Sequence, residues 1–133
     1  MTWVELFTVF FVSHLVGDYL FQTDWQALHK RGGLALGAGA GARDARRALF
    51  THVGVYTLCF APVLVASELG VELVWVVPAI AVPHLVQDDG RLLHGYMKRV
   101  KHLDPTGNLP VSIAVDQTFH MLALLVLALA VGS

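Results

Sequence analysis

Apolar residues gather in four long runs, residues 3–23, 47–67, 73–93 and 110–131, separated by two polar loops and one short turn. At about 1.5 Å per residue, roughly 20 residues cross a hydrocarbon core of about 30 Å. The pattern predicts an all-α, polytopic membrane protein: four transmembrane helices in one bundle and one domain. Trp3 and Trp25 bracket the first run, where interfacial aromatic residues are enriched. Pro62 predicts a kink in the second run, tolerable where neighbours satisfy the freed carbonyl. Pro78 and Pro83 fall in the third, and Pro83, just before His84, is expected to distort the helix and free a carbonyl there. The 24–46 loop has a Gly/Ala/Leu middle, residues 32–42, that reads as a flexible linker; a short interfacial helix around Trp25 to Arg31 is also compatible with it. Residues 67–72 make a turn short enough for an antiparallel hairpin. In the 89–108 loop, Leu92, Leu93, Tyr96, Met97 and Val100 recur at helical spacing and predict an amphipathic segment; Asp104-Pro105-Thr106-Gly107-Asn108 is a turn signal.

The polar residues inside the runs repeat one arrangement. His84 and Asp88 are four apart, so on a helix they share a face. His14 and Asp18 repeat that spacing in the first run, and Asp116 and His120 reverse it in the last. The second run carries His52, with Tyr56 one turn on. Glu5 also lies in the first run, which a plain anchor would not carry.

Charge placement sets the topology. Eight of the nine Lys and Arg residues fall in the 24–46 and 89–108 loops, and the ninth, Arg47, directly adjoins the first of them. The positive-inside rule therefore predicts that these loops are cytoplasmic and both termini are outside. The first run lacks a basic leader, the first basic residue being Lys30, and is expected to be a retained helix rather than a signal peptide. With this topology every His/Asp motif falls in the cytoplasmic half of the membrane at about one depth. A charged residue at the bilayer centre costs about 2.5–3.5 kcal/mol on insertion scales, so Asp18, Asp88 and Asp116 are expected to face inward and be paired.

Composition agrees. The chain is 56% hydrophobic and 14% charged, with mean hydropathy +0.62, more apolar than a soluble domain of 133 residues. Its single cysteine, Cys59, excludes an internal disulfide and a cysteine zinc cluster, and sits where a packing residue is expected. Gly-rich nucleotide motifs, nucleophile elbows and nucleic-acid signatures are absent.

His14, His52, His84 and His120 with Asp18, Asp88 and Asp116 form a candidate metal-ligand set of imidazoles and carboxylates without thiolate. That set suits zinc, manganese or iron better than calcium or magnesium. Di-iron bundles rely on glutamates, and no glutamate lies at this depth, which favours zinc over manganese or iron. Two divalent ions would balance three aspartates and one hydroxide; one would leave excess negative charge. Gln22, Tyr56 and Gln117 are candidates to hold ligands or substrate, or to join helices. His29, His94 and His102 lie in the loops, where solvated histidines are the commoner case. Asp89 points about 100° away from Asp88 on a helix and is expected to support the site from outside or to be exposed.

The combination His14-x3-Asp18 with Gln22, His52 with Tyr56, His84-x3-Asp88, and Asp116-Gln117-x2-His120 resembles a family of small bacterial membrane proteins, domain of unknown function 3307. The resemblance covers nearly the whole chain and implies a multi-pass protein of the bacterial inner (cytoplasmic) membrane. It implies no activity. A looser likeness is to membrane-bound metal-dependent hydrolases, which also place His and Asp on apolar helices.

The expected function is metal-dependent hydrolysis of a lipid-like or amphiphilic substrate near the cytoplasmic leaflet. Asp18, Asp88 and Asp116 are each candidates to bridge ions or act as general base, and Arg46, Arg47, Arg91 and Lys98 to hold an anionic headgroup. Three other classes use the same residue types. Metal-ion or proton-coupled carriers do so, although one chain this short has no inverted repeat pair and needs a homo-oligomer to supply one. A di-iron or di-manganese oxidase is disfavoured by the scarcity of carboxylates. A non-catalytic scaffold would hold a structural metal in a closed shell, or a purely polar core. No nucleic-acid partner is expected.

Overall fold

Every regular element in the computed structural model is helical; it describes residues 1–35, 37–67 and 70–132, and among these there is no strand. In chain order the elements are α1 (Trp3–Leu15), continued by a π-helical turn (Val16–Leu20), α2 (Asp24–His29), α3 (Ala40–Leu58), α4 (Ala61–Ala66), a 3-10 turn (Gly70–Glu72), α5 (Leu73–Asp88), α6 (Arg91–Arg99) and α7 (Leu109–Val131). The all-α expectation is met. Among the described residues, three segments are long and apolar enough to cross a membrane: Trp3–Leu20, Ala40–Ala66 and Leu109–Val131. The expected third span is shorter than 73–93, because α5 has 16 residues and stops at Asp88. Gly90, at φ +81°, turns the chain into α6, a left-handed conformation that costs glycine nothing.

Local chemistry explains the boundaries. Glu5 is a capping residue: Thr2 N–H donates to its carboxylate at 2.8 Å, and Thr2 Oγ1 accepts from Glu5 N–H. Thr23 and Gln26 repeat that box at the start of α2, the short helix compatible with Trp25 to Arg31. The flexible-linker reading ends at Ala40, where α3 begins; Leu36 lies outside the described residues. Pro62 has no N–H to continue a helix, and the second run breaks at Cys59 and Phe60 and restarts as α4 with Pro62 in its first turn. Pro78 and Pro83, in contrast, are accommodated within a continuous α5. The 67–72 turn falls partly on Glu68 and Leu69, outside the described residues, as does the C-terminal Ser133. Asp104 closes its predicted turn by accepting from the Thr106 hydroxyl at 2.9 Å.

α1 packs on α7, α7 on α5, α5 on α3, and the π-helical turn on α3. They enclose one apolar core of Leu6, Phe10, Tyr56, Phe60, Leu64, Val76, Ile80, Leu124, Leu127 and Ala128. His14 lies one turn beyond Phe10, and His84 one turn beyond Ile80, so a polar layer sits directly on that core. α2 and α6 cover its far side. α2 is fixed to α3 by Gln26 Nε2 donating to Thr51 Oγ1 at 3.2 Å. α6 turns Leu93 and Met97 inward as its spacing predicts, while Leu92 and Val100 stay exposed.

Asp89 joins the two basic loops. It is 3% exposed, so the exposed alternative does not hold. Its carboxylate accepts from Leu34 N–H at 2.7 Å, its carbonyl accepts from Gly32 N–H at 2.8 Å, and its other carboxylate oxygen pairs with Arg91. Asp89→Ala is expected to lower stability by about 1–3 kcal/mol, since the Leu34 N–H loses its acceptor. Denaturant unfolding in detergent checks the loss, and the α3–α5 packing predicts unchanged helix content.

Candidate metal centre

The π-helical turn aims Asp18. Its wider winding, closed by Phe21 N–H to Val16 O at 3.1 Å, lets the segment approach α3 closely at Gly17. α3 brings His52, and the end of α5 brings His84 and Asp88 on one face. All three are buried, Asp88 to 3% exposure.

Four donor atoms converge. His52 Nε2 lies 2.9 Å from Asp88 Oδ2 and 3.3 Å from Asp18 Oδ1. His84 Nε2 lies 3.1 Å from Asp88 Oδ2 and 3.4 Å from Asp18 Oδ1. The two Nε2 atoms are 3.1 Å apart. The His52, His84 and Asp88 atoms, 2.9–3.1 Å apart, are spaced close to neighbouring ligands of a zinc ion with bonds of about 2.0–2.2 Å. Asp18 Oδ1 is buried and, among the described residues, has no hydrogen-bond partner. A buried carboxylate oxygen in that state is costly unless something else neutralises it, as the Lys30 ammonium does for Asp88 Oδ2.

Two further imidazoles flank the cradle. His120 Nδ1 donates to the Asp116 carbonyl oxygen at 2.8 Å. That fixes the tautomer and leaves its buried Nε2 as a lone-pair donor, 3.5 Å from Asp88 Oδ1 and without a hydrogen-bond partner. His14 is engaged at both nitrogens: Nε2 with Gln117 Oε1 at 2.9 Å, Nδ1 with the Tyr56 hydroxyl at 3.2 Å and with Asp18 Oδ2 at 3.5 Å. Donor atoms close enough to share an ion fall into two overlapping groups, His52–His84–Asp88 and His14–Asp18–His84, with His84 common to both. His52 Nδ1 and His84 Nδ1 have no acceptor among the described residues. The His84 ring is held instead by Tyr56, stacked on it with centroids 3.4 Å apart and planes at 5°.

Of the residues named from sequence beside the ligand candidates, Gln22 Nε2 lies 3.1 Å from His52 Nε2, and Tyr56 and Gln117 both contact His14. Asp116 is placed differently from the i,i+4 expectation. Its backbone carbonyl serves His120, while its half-buried carboxylate lines a crevice of about 290 Å³ together with Asp18, Gln22, Lys30 and Gln117. Sequence reasoning missed Lys30. α2 delivers it to the site, where Nζ is 2.8 Å from Asp88 Oδ2 and the side chain only 13% exposed. The cations named from sequence go elsewhere: Arg46 donates to Gly37 O, Arg47 lies over the Trp25 ring, Arg91 pairs with Asp89, and Lys98 is exposed on α6.

A family model described as protein of unknown function (DUF3307) matches residues 6–133. No curated protein and no solved structure matches.

Proposed function

We propose that this chain, which belongs to the DUF3307 family, is a membrane-embedded metal protein that hydrolyses a lipid-like or amphiphilic substrate. The observation that carries the reading is the convergence of His52, His84 and Asp88 donor atoms at 2.9–3.1 Å from one another, with Asp18 Oδ1 beside both imidazoles. The surface around it supports a lipid surround. Leu58, Val65, Val74 and Val126 are exposed, while His14, His52, His84, His120 and Asp88 are buried, the reverse of a water-soluble protein. In this reading α5 joins the three longer segments as a fourth, shorter span, the basic loops face the cytoplasm and both termini face outward.

His52, His84 and Asp88 would hold the ion, with His120 Nε2 beside them; the imidazole and carboxylate donors fit zinc, with manganese or iron second. Bound there, a divalent ion supplies Lewis acidity and a water of pKa about 7. The fourth position would be left for water, and Asp18 stands beside that set. Alone among the four donors it also lines the crevice, so its carboxylate stands between ion and substrate, placed to accept a proton at Oδ1. His14, held by Gln117 and Tyr56, fixes its orientation. Asp116 lies across the crevice, within it but outside the cradle.

Asp18→Asn separates catalysis from a structural metal. A catalytic site keeps its fourth position for water, whereas a structural site is closed by protein. The variant is expected to keep its zinc, by elemental analysis of detergent-purified protein, and to lose about 100-fold or more of hydrolysis of amphiphilic ester and phosphate substrates. Zinc lost together with fold stability would instead make Asp18 a fourth ligand of a closed site, and the protein a scaffold. Zinc-dependent flux into proteoliposomes without hydrolysis would make it a carrier.

A further inference from the structure

The crevice beside Asp18 carries its own information about substrate. Its inner end is polar: Lys30 and Arg31 supply cations, Gln22 and Gln117 amides, and Asp18 and Asp116 carboxylates. Its outer edge is apolar, formed by Tyr19, Leu109 and Ile113, all exposed. Lys30 is unusual among the loop cations because its ammonium is nearly buried and reaches the cradle itself. Arg31 is exposed; its aliphatic stem lies along the Gly90 corner, and the residue lines both this crevice and the one at that corner.

Charge balance narrows the class of occupant. Asp18, Asp88 and Asp116 bring three negative charges; Lys30, Arg31 and one divalent ion bring four positive ones. The group that neutralises the whole carries a single negative charge. A dianionic phosphate monoester would overshoot, and an uncharged ester would leave the cations uncompensated in a water-poor site. We infer that the crevice binds a singly charged phosphodiester, its headgroup between Lys30 and Arg31 and its apolar part along Tyr19, Leu109 and Ile113. With the ion on Asp88, Lys30 is repelled from that carboxylate and its flexible four-carbon stem lets the ammonium turn to the headgroup. The inference rests on the metal reading above and specifies its substrate.

The test uses the full chain in dodecyl maltoside micelles, with zinc content measured on every sample. Binding is followed for phosphatidylglycerol, for its soluble deacylated headgroup, and for uncharged diacylglycerol. Wild type is expected to retain phosphatidylglycerol at least about tenfold better than diacylglycerol. Lys30→Gln and Arg31→Gln should each reduce that preference about tenfold with zinc unchanged, and Lys30→Arg should restore most of it. A headgroup that competes as well as the lipid keeps the subsite and makes its natural occupant a soluble phosphodiester. Equal retention of charged and uncharged lipid, or variants that bind like wild type while holding zinc, overturns the subsite alone. A wild type that holds no zinc overturns the metal reading, and the subsite with it.

Discussion

His84→Ala is expected to abolish metal binding, with affinity for zinc falling beyond 100-fold and the protein still inserted and helical. Its imidazole is the ligand common to both groups of donors, His52–His84–Asp88 and His14–Asp18–His84, so no alternative set survives its removal. His14→Ala should be milder. It leaves all four donors of the cradle in place and removes only the group that orients Asp18, where outer partners typically contribute about 10- to 100-fold. The order His84→Ala far below His14→Ala, measured by chelator competition and elemental analysis, distinguishes a cradle from a diffuse polar core. Equal zinc content in His84→Ala and wild type would reduce the histidines and aspartates to a hydrogen-bonded helix junction. Circular dichroism on the same samples controls for folding.

Gly17→Ala is expected to damage the site without touching a ligand. A methyl group there would lie 2.7 Å from Tyr56 Cδ2 and 3.3 Å from Tyr56 Cα. A side chain can swing away, but the Cα belongs to α3, so the π-helical turn and α3 must separate. Tyr56 is also the ring on which His84 stacks, and the separation carries Asp18 away from His52. Overpacking of this kind costs about 1–3 kcal/mol, and a loss of about tenfold or more in zinc affinity should accompany it. Gly54→Ala is the control: it lies in α3, two residues from Tyr56, with nothing within 4 Å of the added carbon, and replacing a mid-helix glycine adds stability of up to about 1 kcal/mol. If both variants bind zinc like wild type, close approach at Gly17 is irrelevant to the centre.

Much of this arrangement is legible in the sequence because two periodicities coincide. Apolar runs mark the helices, and His-x3-Asp places two side chains on one face whatever the neighbours do. The single His52 becomes informative only because charge in the loops predicts a direction for each run, which brings all the motifs to one expected level. What was not legible depends on tertiary placement. Lys30 reads as one more loop cation; only the docking of α2 on α3, through Gln26 and Thr51, carries it to Asp88. Asp116 and His120 do share a helix face, yet the imidazole takes the backbone carbonyl of Asp116 rather than its carboxylate, a choice that spacing does not encode. The end of α5 is set by one backbone dihedral at Gly90, and hydropathy does not register it. Pro83 shows the converse, a signal for distortion that a continuous helix absorbs.

The brevity of α5 reaches beyond the protein. Sixteen residues span about 24 Å, whereas the 23 of α7 span about 34 Å. In the proposed four-span reading, a bilayer with a core of about 30 Å meets walls of unequal height, too short on one side and too tall on the other. It would then have to thin beside α5, and the candidate ligands at the end of that helix would sit under a local depression where headgroups come closest. Acyl-chain length in the surrounding lipid thereby becomes a variable of the site, for thicker membranes pay more to reach it.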